Sequence, residues 1–336
     1  MNLKMQVTRR SRETLIAAAC IAFCGWFLMK FHMDAANDSE TQAYVASLIA
    51  SAAHTSLSTD ATGQYAALAP YVMWPFTTLL QPITGAYLIR GLVFALLVLG
   101  VALNALTYVW LRTLRLTWLT SLVGLVLLST SAAFAMQLRG WESDKLLEPI
   151  LFLLAVLAAW HRRWPLYVLC AALAAANRET GIFAPFVALV ASDPNTNPLR
   201  TLARRPAFWL ALAFCSIEVL VLRQVGPAPS VTPWAYAAPA RFVNVLGGLC
   251  LLPVLALAVG RAAPIGLRWL LYAVTVPWLV VVLATEQVDQ GLVLLAPLAV
   301  VWLPVSLLGV EAAIRTQSRL GIRRDVARVP EAPAAR

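Results

Sequence analysis

Apolar stretches recur ten times along this chain, at about 14–29, 87–110, 118–136, 147–160, 166–177, 181–192, 206–224, 243–260, 268–285 and 291–310. Several are near the roughly 20 residues that an α-helix needs to cross about 30 Å of hydrocarbon. Inside a bilayer every backbone N–H and C=O must be satisfied within the protein, which leaves helices and closed barrels as spanning structures. The chain is 60% hydrophobic and 12% charged, whereas an ordinary soluble domain is roughly a quarter charged. The surplus of apolar side chains belongs against lipid. These features exclude a soluble enzyme and predict an all-α fold: a polytopic transmembrane helical bundle of about ten spans, forming one membrane domain over residues 1–310.

The net charge of +10 does not point to nucleic acid, because the basic residues come as short clusters between apolar runs. Lys4, Arg9, Arg10 and Arg12 precede the first run, Arg162 and Arg163 follow the fourth, and Arg200, Arg204 and Arg205 precede the seventh. Such clustering orients helices with their basic loops in the cytoplasm. Both termini are therefore expected inside a cytoplasmic (inner) membrane, with residues 311–336 as a basic cytoplasmic tail, disordered in keeping with its Arg- and Ala-rich composition and late prolines. Most acids go the other way. Asp34, Asp38, Glu40, Asp60, Glu142, Asp144, Glu148, Glu179, Glu286 and Asp289 fall at or near the expected outer face. The five cysteines sit inside apolar runs with no C-x-x-C and no ligand-spaced histidine, which marks them as small core residues rather than metal ligands.

The fifth and sixth runs are about 12 residues each, only about 18 Å as α-helix. Between them lies Asn177-Arg178-Glu179-Thr180. Basic clusters flank the pair on both sides, so both flanks favour the cytoplasm and the chain must reverse at the tetrad. A hairpin of short helices, with polar residues at or below the outer surface, is the expectation.

The candidate chemistry lies at that outer face. The loop 31–86 carries Asp34, Asn37-Asp38-Ser39-Glu40 and then Tyr44, Val45, Leu48, Ile49 and Ala52 at helical spacing, which predicts an amphipathic helix on the membrane surface. Asp38 and Glu40 can complement the positive end of that helix, or one carboxylate can act as a general base while the other orients it or holds a divalent cation, Mg or Mn. Arg178 either pairs with Glu179 as a structural ion pair or presents a planar guanidinium to a phosphate. Asn177, Arg139, Asp144, Arg90, Arg241, Glu286 and Asp289 complete the candidate wall of an outer site. No G-x-x-x-x-G-K-[ST] and no strand-linked G-x-G-x-x-G occurs, which argues against a nucleotide site.

This succession resembles the GT-C superfamily of polytopic glycosyltransferases that use polyprenyl-phosphate sugars. The resemblance rests on the acids after the first run, on Tyr65, Pro70-Tyr71, Pro75 and Pro82 before the second, on Asp144 leading into the fourth, and on the 177–180 tetrad. It implies an acid of the first outer loop as catalytic base, Asp38 before Asp34, and basic residues beneath it to meet the donor phosphate. It also implies a polyprenyl-phosphate-linked sugar as donor and an envelope glycan or lipid as acceptor. The Glu286-Gln287-Val288 segment lacks the arginine of the E-x-R that similar proteins carry on a late outer-side span. A transporter is a second reading, since broken helices are also transporter features. A non-catalytic scaffold of a polysaccharide-assembly complex is a third.

Overall fold

A computed structural model describes residues 2–35, 68, 71–72, 75–76, 88–137, 144–192, 196–225, 251–284 and 295–326. The expected surface helix after Asn37 lies outside them. The elements are α1 (Asn2–Ala35), α2 (Leu88–Thr113), α3 (Trp118–Gln137), α4 (Asp144–Trp160), α5 (Trp164–Asn177), a 3-10 helix (Glu179–Ala191), α6 (Pro198–Ala203), α7 (Pro206–Val225), α8 (Leu252–Val259) with a 3-10 turn Gly260–Ala262, α9 (Ile265–Ala284), and α10. The last comprises Leu295–Pro297 and Leu303–Val326 on either side of a π-helical turn, Leu298–Trp302. No strand occurs among the described residues. Each of the ten apolar runs is helical over nearly all of its described residues. Among the described residues three stretches are long and apolar enough to cross a bilayer by length and composition, Ser11–Lys30, Val93–Thr113 and Leu295–Gln317, and the other apolar stretches, such as Trp118–Ala133 and Pro206–Val221, are shorter.

Helix α7 shows how such a chain meets its surroundings. Phe208, Ala211 and Cys215 are buried against the protein, while Leu210, Phe214, Ile217 and Val221 form an exposed stripe, each about half accessible. A helix that is apolar on both its packed and its open face suits lipid rather than water.

The chain reverses at Arg178, as the flanking charge implied. Arg178 is one extended residue (φ −151°, ψ 153°) between α5 and the 3-10 helix. Its N–H donates to the Ala174 carbonyl at 3.0 Å, and its own carbonyl accepts from Gly181 N–H at 2.9 Å. A Cβ on Gly181 would stand 2.2 Å from the Ala174 backbone, so only glycine lets the two arms close this tightly. Eleven residues back along α5, the Tyr167 hydroxyl donates to the Pro185 carbonyl at 2.6 Å. The arms are therefore antiparallel.

The second arm departs from the expected α-helix. Its 13 residues are 3-10 throughout, and at about 2.0 Å per residue they reach about 26 Å instead of the expected 18. The arm is thus less short than its residue count suggests. Most of it is buried, packed among α4, α5, α7 and α9. Gly266 of α9 lies so close that a Cβ there would meet the Leu189 carbonyl oxygen at 2.2 Å. The slimmer 3-10 coil fits the narrow channel that these four helices leave.

The C-terminal segment also differs from expectation. The final helix continues past residue 311 to Val326. Glu311-Ala-Ala-Ile-Arg315 contains no glycine or proline, and Glu311 and Arg315 pair one turn apart at 2.6 Å. Glu311 further accepts from the Thr117 N–H at 2.7 Å and the Thr120 hydroxyl at 2.8 Å, so it satisfies orphan donors at the start of α3.

The bundle has two unlike ends. The turns carrying Arg112 and Arg115, Arg162 and Arg163, Arg200 and Arg204, and Arg261 lie at one end, which we call the basic end. The reversal at Arg178 lies at the other.

Candidate functional site

Helix α4 is packed on nearly every face near its start: Leu146, Leu147, Ile150, Leu151 and Phe152 are all buried. Glu148, one turn after the first residue Asp144, is enclosed with them at 0% exposure. A carboxylate there cannot reach water and needs donors from the protein. The Thr180 hydroxyl, in the first turn of the 3-10 helix, supplies one to Glu148 Oε1. Asn177 (0%), Arg178 (1%) and Thr180 (4%) are buried at the same turn. The reversal thus gathers an amide, a guanidinium, a hydroxyl and a carboxylate at one end of the bundle. Placing the guanidinium there is costly unless anionic or polar groups surround it.

Several expected site residues share this end. Ring contact between Trp110 of α2 and Trp160 of α4, 5.5 Å between centroids, fixes a common level near the basic end. From that level, α-helical rise carries α2 about 30 Å to Arg90 and α4 about 24 Å to Asp144. Helices α1 and α2 cross at Gly25, whose added Cβ would meet the Val101 backbone at 2.9 Å, and Arg12 and Ile16 of α1 line a cleft with Trp118, just past the end of α2, so the two helices are antiparallel. Asp34, in the last turn of α1 rather than in the loop, and Arg90, early in α2, therefore lie on the same side as Glu148 and Arg178. Glu179 opens the 3-10 helix. For Asp34, Arg90, Asp144 and Glu179 only the backbone is described. Asp38, Glu40, Arg139, Arg241, Glu286 and Asp289 lie outside the described residues.

The site residue that sequence reasoning left out is Glu148. Its signal was available: an acid within an apolar run, one helical turn below Asp144. Its partner Thr180 was visible only as one of the polar tetrad. Among the described residues no three His, Cys, Asp or Glu side chains converge on a metal position. The acids weighed for Mg or Mn, Asp34, Asp38 and Glu40, have no described side chains. No family model, curated protein or solved structure matches this chain.

Proposed function

We propose that this protein is a glycosyltransferase of the cytoplasmic membrane. It moves a sugar from a polyprenyl-phosphate carrier to a hydroxyl of an envelope glycan or lipid at the outer face. The observation that carries the reading is the burial of Arg178 together with Asn177, Thr180 and Glu148 at the reversal, at the end of the bundle opposite the basic loops. A guanidinium held by the turn of a hairpin offers a fork of N–H donors matched to phosphate oxygens. Its depth suits a phosphate whose polyprenyl tail lies among apolar helices.

In the reaction the acceptor hydroxyl oxygen bonds to the anomeric carbon, the bond from that carbon to the carrier phosphate breaks, and the phosphate keeps the bonding electrons. The acceptor proton passes to a carboxylate, the role given to Asp38 with Asp34 or Glu40 in support. Arg178 and Asn177 stabilise charge developing on the departing phosphate. Glu148, through Thr180, holds the turn that aims them. Mg or Mn, where present, would supply further positive charge to the same phosphate.

The test is binding of a polyprenyl-phosphate sugar to purified wild type, Arg178→Lys and Arg178→Ala, with thermal unfolding measured in parallel. Lysine keeps the charge but loses the fork, so donor binding is expected to weaken about tenfold or more while folding persists. Unchanged binding in both variants, with stability lost only in the alanine form, would assign Arg178 to packing and remove the basis for the reading.

A further inference from the structure

The basic end holds a second arrangement that the transfer reaction does not use. A cleft of about 460 Å³ opens between the starts of α5 and α7, lined by Arg162, Trp164, Arg205, Pro206 and Ala207. Its wall is anchored. The Arg205 guanidinium lies 4.7 Å from the Trp164 ring centroid and donates to the Ala191 carbonyl at 2.7 Å and to that of Ala188 at 3.4 Å. It thereby satisfies the carbonyl end of the central 3-10 helix and joins that helix to α5. Arg162 is exposed at the rim with Arg163, and Arg200 and Arg204 are exposed on the adjoining segment. Arg162 also sits at φ 56°, closing α4 in the left-handed conformation that favours glycine. The site holds a guanidinium where backbone energetics alone would choose a hydrogen.

The apolar surface beside this cleft decides what it suits. From Pro206 the exposed stripe of α7 continues through Leu210 and Phe214, and α5 exposes Leu166 and Leu169. The two helices are in contact, with the Cys215 thiol donating to the Ala171 carbonyl at 3.3 Å. Along α7, the positive charge at the cleft therefore runs into the apolar stripe that begins one turn beyond Pro206. We infer that this cleft binds an anionic phospholipid, its phosphate headgroup at Arg162 and its acyl chains along Leu210 and Phe214. Basic pockets between helix ends favour such headgroups, and tryptophan suits the same depth. A free phosphate would use the arginines but not the stripe.

The experiment uses the full chain in neutral detergent, with phosphatidylglycerol or phosphatidylcholine of identical acyl chains added. Retained lipid is read by native mass spectrometry and melting temperature is recorded. Wild type is expected to retain phosphatidylglycerol preferentially. Arg162→Gln should weaken that retention about fivefold and leave phosphatidylcholine unaffected. Arg162→Gly removes the charge while relieving the left-handed backbone, so it should melt no lower than wild type yet lose the same preference. A large molar excess of inorganic phosphate should leave the lipid in place. Equal retention of the two lipids by wild type would overturn the proposal, as would undiminished phosphatidylglycerol retention by Arg162→Gly. Displacement by inorganic phosphate would overturn it in favour of a free-anion site.

Discussion

The Thr180 hydroxyl donates a hydrogen bond to the Glu148 carboxylate across 32 residues of sequence, both side chains buried. It ties the first turn of the 3-10 helix to the start of α4, and so fixes the reversal that carries Asn177 and Arg178. An acid in this position is retained only with donors close by, since burying an unsatisfied carboxylate costs more than the bond itself returns.

Replacing Thr180 with valine preserves the shape of the side chain and deletes its donor. The expected cost is about 1–3 kcal/mol, because Glu148 then loses a buried partner. Thr180→Ser keeps the hydroxyl and should recover most of the loss. Thermal or denaturant unfolding of the purified chain reads both, and a valine variant as stable as wild type would show that the contact contributes nothing to the hairpin.

A second prediction concerns the π-helical turn in α10. Pro304 has no N–H to offer the Val300 carbonyl, and the Trp110 indole N–H donates to that carbonyl at 3.0 Å from α2. Trp110 is fully buried and meets the Trp160 ring edge-on. Trp110→Phe keeps an aromatic ring in the gap but removes the donor, and the expected loss is about 1–3 kcal/mol. Pairing that change with Pro304→Ala restores a backbone N–H near Val300, so the double variant should lose less than the two single effects added together. Strict additivity in unfolding measurements would separate the tryptophan from the proline.

The elements legible in the sequence were those set by hydrophobic length and by charge. The boundaries of α2, α3, α7 and α9 fall within a few residues of the apolar runs. The reversal at 177–180 followed from basic clusters on both flanks, without knowledge of any contact. The 3-10 character of residues 179–191 was not legible for a physical reason: helix type is read from which face is apolar, and this segment is apolar on all sides. Only Gly181 and, much later in the chain, Gly266 mark the close approaches, and neither names its neighbour. The same limit applies to Glu148. The sequence places a carboxylate in an apolar run, whereas the hydroxyl that satisfies it comes from a tertiary pairing. The helical extension from 311 to 326 was masked by composition, because a basic, alanine-rich tail reads alike as solvated helix or as coil.

The last prediction is the sidedness of the chain, on which both proposed sites depend. Loops rich in Lys and Arg stay on the cytoplasmic side because their translocation is disfavoured, and the turns carrying Arg162 and Arg163, and Arg200 and Arg204, lie at one end of the bundle with the Arg178 reversal at the other. The antiparallel pairing of Tyr167 with Pro185 requires the segments before α5 and after the 3-10 helix to emerge on the same side. Reporter fusions after residues 114, 163, 202 and 325 are therefore expected to read cytoplasmic, and fusions after 60 and 230 external. The decisive pair is 202 and 230, since α7 alone lies between them among the described helices. An internal signal at 230 would mean that α7 does not cross. That would move the stripe of Leu210, Phe214, Ile217 and Val221 out of the bilayer core and remove the acyl surface assigned to the lipid cleft. An external signal at 163 would instead invert the whole bundle and place the Glu148 and Arg178 cluster on the cytoplasmic side, which would overturn transfer at the outer face.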